Sequence, residues 1–133
     1  MPASAEATVN RDVFMRRTLV VGAAFNFLAA AMVLFPQSLG RVADIPQGAP
    51  RFHSWLLALF IFLFGCVYAW LSRRAVIDRP FVVLAVVGKT GVFLVAFACW
   101  WFGEISARAF TTAVGDLLFA GIFLWWLRGT ARA

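Results

Sequence analysis

Four long runs of mostly apolar residues divide this 133-residue chain, at about 18–35, 52–71, 81–102 and 110–127. Each matches or exceeds the roughly 18 residues that mark a helical membrane span. Composition points the same way. Hydrophobic residues make up 63% and charged residues 14%. Ordinary soluble domains are about 45–50% apolar and about 25% charged. The apolar residues come in blocks, not in amphipathic stripes. One all-α domain is expected, a bundle of four transmembrane helices.

The connections are short and polar. Residues 1–10 have no apolar period and read as a flexible tail, with Asn10 capping a helix that starts at Arg11 and carries Asp12 in its first turn. Arg16 and Arg17 precede the first run, and Ala29, Ala30 and Ala31 give it the small residues of a signal-cleavage site. The run continues past those alanines, so a retained span is expected. Residues 36–51, with Pro36, Gly40, Pro46, Gly48 and Pro50, form the longest loop, expected to fold over the bundle mouth. A basic loop with Arg73, Arg74 and Arg79 joins the second and third spans, and Gly103 and Glu104 turn the chain into the fourth.

Arginine placement sets an orientation. The N-terminal segment, the second connection and the C-terminal tail hold eight arginines, and the opposite side holds three, Arg41, Arg51 and Arg108. Positive residues stay on the cytoplasmic side, so both termini are expected in the cytoplasm and the chain in the cell (inner) membrane. Trp55, Trp100 and Trp101 fall near the outer ends of spans, and Trp70, Trp125 and Trp126 near the inner ends. Amphipathic rings favour both interfaces.

Several chemistries are excluded or disfavoured. The net charge of +6 flanks the spans and forms no basic face with interleaved aromatics, so nucleic acid is not an expected partner. His53 is the sole histidine, so one chain cannot build a His-based metal cluster. Cys66 and Cys99 lack redox or metal spacing. Their expected depths differ by roughly 20 Å, too far for a disulfide, whose Cα atoms lie within about 7 Å. Gly88-Lys89-Thr90 imitates the end of a phosphate-binding loop, but the earlier glycine position holds Val83. No serine has a nearby histidine base and no carboxylates pair. No catalytic residue, metal or cofactor is assigned.

Two charges stand out, because Lys89 and Asp116 are the only formally charged side chains well inside the apolar runs. Lys89 lies about 13 Å from the inner end of its span by helical rise, and Asp116 about 18 Å. A lysine side chain bridges that difference across antiparallel neighbours. Either charge alone at mid-membrane costs at least about 2.5–3.5 kcal/mol, so pairing is favoured. Gly88, Gly91 and Gly115 lie beside the pair, where small residues let helices approach. Asn26 reaches a similar depth on the first span, with Gly22 and Ala30 on its face. A polar layer of Asn26, Lys89 and Asp116 follows. It reads either as a buried pair that fixes helix register or as a proton relay or ligand pocket. Arg51 and His53, beside Trp55 at the outer mouth, are candidates for an anionic headgroup or for interfacial anchoring.

Asn26, Gly65 with Tyr68, Gly88-Lys89 and Gly115-Asp116 with Phe119-Ala120 together resemble a group of small bacterial four-helix membrane proteins, loosely similar to DoxX-like proteins. The resemblance implies the four-span layout and a role for Lys89 and Asp116. It implies no activity.

The first functional expectation is a non-enzymatic accessory, assembly or lipid-interacting component in which the Lys89–Asp116 pair organises the bundle. Membrane lipid is the expected partner, with another membrane protein or a second copy of the chain as further candidates. The alternative is a proton- or small-molecule-coupled transporter or channel component using the same pair. A membrane enzyme ranks last, for want of a catalytic constellation.

Overall fold

The computed structural model describes residues 3–130. They form four long helices: α1 (Ala3–Leu34), α2 (Arg51–Arg73), α3 (Arg79–Trp101) and α4 (Ala107–Thr130). All four are long and apolar enough to cross a membrane. At 32 residues, α1 is the longest. By helical rise it extends about 48 Å, well beyond the ~30 Å of a bilayer's hydrocarbon. The expected tail and the cap at Asn10 are corrected here: the helix already runs from Ala3, and Asn10 lies inside it. Residues 1 and 2 of that segment lie outside the described residues.

The helices alternate in direction and pair as two hairpins. α1 packs along α2 and α3 along α4, while the hairpins meet mainly between α1 and α4. Connection length does not decide this pairing: the longest loop joins the close pair α1 and α2, while the five residues between α2 and α3 join helices that are not close partners. Glycine at φ 76°, Gly103, turns the chain out of α3, and Gly103 N–H donates to Trp100 O and Glu104 N–H to Cys99 O. That left-handed turn favours glycine at a helix C-terminus. Ser106 then caps α4, its Oγ accepting from Ala109 N–H at 3.2 Å. The cap starts α4 at Ala107, three residues ahead of the expected Phe110.

The loop after α1 folds back on the helix that precedes it. A single 3-10 turn, Leu39–Arg41, sits against the end of α1. Gly40 is required there, because a Cβ would lie 2.7 Å from the Met32 carbonyl oxygen.

The end that carries the termini is closed by arginines. Arg16 donates to the carbonyls of Ser72 at 3.1 Å and Ala75 at 2.8 Å, and also to that of Arg74. Arg79 donates to Leu127 O at 3.2 Å. Both satisfy carbonyls that a helix leaves without partners at its C-terminus. Trp126 turns inward, is buried, and donates from Nε1 to Asp12 Oδ1 at 2.8 Å. It is therefore not one of the interfacial rings expected from its position.

The core occupies this half of the bundle. Met15, Leu19, Tyr68, Leu71, Val82 and Phe123 are almost fully buried. In the other half each hairpin is held within itself. Phe93, Phe97, Trp100 and Phe110 interlock α3 with α4, Trp100 stacking on Phe110 at 4.9 Å. The outward faces are apolar, with Val20, Leu28, Leu59, Val87, Val95 and Leu118 all exposed. Soluble monomers rarely show contiguous apolar surface of this extent.

Candidate functional site

The site forms where the shared core ends and the hairpins begin to part. Lys89 on α3 donates from Nζ to Asp116 Oδ1 on α4 at 2.6 Å, and to Asn26 Oδ1 on α1 at 3.2 Å. Asn26 Nδ2 donates to the Ile61 carbonyl on α2 at 3.3 Å. One short chain of polar contacts thus links all four helices. The bonds to Asn26 fix which end of its amide faces the lysine, since only the oxygen can accept. The lysine side chain is 5% exposed and the aspartate 16%. The pair is therefore buried on the lysine side and reachable on the carboxylate side.

Three aromatic rings surround the ammonium. Nζ lies 5.1 Å from the ring centre of Phe119, 5.3 Å from Phe25 and 5.5 Å from Tyr68. Ring faces carry partial negative charge and attract a cation within about 6 Å. The lysine is thereby solvated by two oxygens and three rings in place of water. This answers the desolvation penalty that a lone ammonium would carry. The rings support one another: Phe25 packs on Phe119 at 5.5 Å, and Tyr68 meets the buried Phe123 edge-on at 5.7 Å. Sequence reasoning found the three polar residues and missed this cage. Among 15 phenylalanines, nothing in the pattern singles out Phe25, and Phe119 entered only as part of the motif with Gly115-Asp116, with no role assigned.

The glycines differ in role. A Cβ on Gly115 would stand 2.9 Å from the Phe25 ring, so this glycine makes room for one wall of the cage. Gly22 faces Tyr68 at 3.5 Å and Phe119 at 3.6 Å. Gly88 faces Phe64 more loosely, at 3.8 Å. Gly91 has no atom within 4 Å of its would-be Cβ and is not a close-packing position within the chain. Gly65 is instead the glycine that makes room between α1 and α2, since a Cβ there would lie 2.7 Å from the Phe27 ring. Gly115→Ala is expected to push Phe25 toward the ammonium and cost about 1–3 kcal/mol, as overpacking does. Gly91→Ala should stay within about 1 kcal/mol of the parent protein, in the range of helix propensity alone. Thermal unfolding of the two purified variants measures the contrast.

Arg51 and His53 are exposed at the start of α2. Counted from Ile61, His53 is about 12 Å away along the helix, and neither residue joins the site. Cys66 and Cys99 are free. Among the described residues no group of His, Cys, Asp and Glu is placed to hold a metal ion.

A cavity of about 290 Å³ opens above the polar layer. Tyr68, Lys89, Asp116 and Asn26 form its floor, and its walls include Leu57, Phe60, Phe64 and Val92. It lies between α2 and α3, which are not close partners, with Phe25, Asn26 and Ala29 of α1 also lining it. No protein-family model matches the chain, and no curated protein or solved structure matches it. The geometry of the site is therefore what bears on function.

Proposed function

We propose that the chain is a small multi-pass protein of the cell (inner) membrane that acts without catalysis, as an accessory, assembly or lipid-interacting component. The observation that carries this reading is the Lys89–Asp116–Asn26 layer, which joins the two hairpins through Asn26 where their shared core ends. Lys89 is the centre of a clasp. Its pair with Asp116 locks α3 to α4, and its bond to Asn26 crosses to α1, so the layer holds both hairpins in one register and leaves apolar surface beyond it for a membrane partner. Both termini lie on the cytoplasmic side. Supporting this, the arginine-rich end of the bundle is the one that gathers Arg16, Arg74 and Arg79 around the helix ends. The layout also agrees with the likeness to small four-helix, loosely DoxX-like membrane proteins.

A second reading rests on one observation, the partly exposed Asp116 carboxylate facing a cavity. It makes the chain a component of a proton- or small-molecule-coupled transporter, and intramembrane ionisable groups often serve that purpose.

Native mass spectrometry of protein released from nanodiscs separates these. The first reading predicts retained lipid or a stoichiometric protein partner; bare protein contradicts it. Proton-dependent flux in proteoliposomes that Asp116→Asn abolishes would establish the second in its place.

A further inference from the structure

The cavity between α2 and α3 has a polar floor and apolar walls, and its floor carries two atoms that the protein leaves unused. Asp116 Oδ1 takes the lysine's hydrogen bond, while Oδ2 accepts none among the described residues. The Tyr68 hydroxyl likewise makes no hydrogen bond among the described residues. Yet no buried side-chain oxygen or nitrogen among them lacks a partner. Both oxygens therefore reach accessible space, and both residues line this cavity. They flank the same ammonium. Tyr68 presents its ring 5.5 Å from Nζ, and Asp116 lies 2.6 Å from it.

The charges on this floor cancel, because the lysine already neutralises the carboxylate. A charged headgroup would gain no net attraction and would lose its hydration. What the floor lacks is one donor for Oδ2 and one partner for a phenol. A hydroxyl supplies both, since it donates once and accepts as well. The walls take only hydrocarbon. A volume of about 290 Å³ equals roughly ten water-sized volumes at ~30 Å³ each, enough for a headgroup and the first part of one chain. A chain that leaves the cavity between α2 and α3 would extend into the surrounding bilayer.

We infer that this cavity binds a neutral membrane amphiphile through its alcohol group, the hydroxyl donating to Asp116 and pairing with Tyr68, with one aliphatic chain against Leu57, Phe60 and Val92. The inference rests on the lipid-interacting reading above and names the lipid class and its seat.

The test uses the full chain in phosphatidylcholine nanodiscs, whose lipid headgroups carry no alcohol. A decanol bearing a diazirine at mid-chain serves as the photo-probe, competed by 1-decanol or by decyl methyl ether, which accepts a hydrogen bond but cannot donate one. The expected result is labelling at Ile61 or Phe64, the more enclosed lining residues, competed roughly three- to tenfold better by the alcohol than by the ether, the worth of one hydrogen bond. Tyr68→Phe removes only an oxygen that no protein group engages. It should leave thermal stability without probe unchanged and weaken competition by the alcohol by a similar factor. Label confined to outward faces such as Leu59, Val95 and Leu118 would overturn the inference. So would equal competition by alcohol and ether. Either failure, with lipid still retained in native mass spectrometry, leaves the broader reading standing. Failure of both experiments removes both.

Discussion

Asp116→Leu is expected to destabilise the protein by about 3–5 kcal/mol, and Lys89→Met by a comparable amount. Each change removes one member of a buried pair and leaves the other facing an apolar interior. The two are not equivalent in detail. Without Asp116, the ammonium keeps Asn26 Oδ1 and its three rings but loses its only anion. Without Lys89, the carboxylate loses its only hydrogen-bond donor among the described residues, and Asn26 Oδ1 loses its own. Asp116→Asn keeps the shape and one acceptor, and should lose less than Asp116→Leu. Thermal unfolding in nanodiscs ranks the three.

Phe123→Ala is the second large effect. Phe123 is completely buried and holds Tyr68 edge-on at 5.7 Å and Phe119 at 6.1 Å, so it underlies two walls of the cage. In a water-soluble core such a truncation costs about 3–5 kcal/mol, part transfer free energy and part cavity. Between helices in a bilayer the transfer part largely vanishes, because lipid tails are as apolar as the core. Lost packing remains, and about 2–3 kcal/mol is expected on that ground. The change should also loosen Tyr68. A truncation on the outward face, Leu118→Ala, removes a side chain that is 65% exposed and should leave stability almost unaltered. Thermal unfolding of the two variants side by side tests the difference.

The parts of the structure legible in the sequence are those that solvent alone dictates. Four apolar runs can hide their backbones only as helices, and short connections make neighbours antiparallel. An isolated charge in such a run needs an answer, which is why Lys89 points to Asp116 and both point to Asn26. Other features depend on geometry that composition does not encode. The first ten residues are small and lack an apolar period, so no buried face announced a helix from Ala3, although Ala3, Ala5, Ala7 and Glu6 favour one. Arg16 and Arg79 count as orientation charges by position, and only the folded chain brings their guanidinium groups to the carbonyl ends of α2 and α4. Gly91 and Gly115 look alike in sequence. What separates them is the Phe25 ring, which reaches one and not the other. The cavity between α2 and α3 was illegible for a similar reason. Apolar faces that contact lipid, a neighbouring helix or a cavity share one residue vocabulary.

The most direct measurement is the double-mutant cycle that joins Lys89→Met and Asp116→Leu in one chain. Replacing a whole buried ion pair by apolar residues is often neutral, whereas breaking it is not. Asn26 Oδ1 would still lack its donor, a residual cost of about 1 kcal/mol. The double variant should therefore lie within about 1–2 kcal/mol of the parent protein, recovering most of the ~3–5 kcal/mol lost by each single change. Losses that simply add across the two single changes would mean that Lys89 and Asp116 do not pair and that this pair is not what locks α3 to α4.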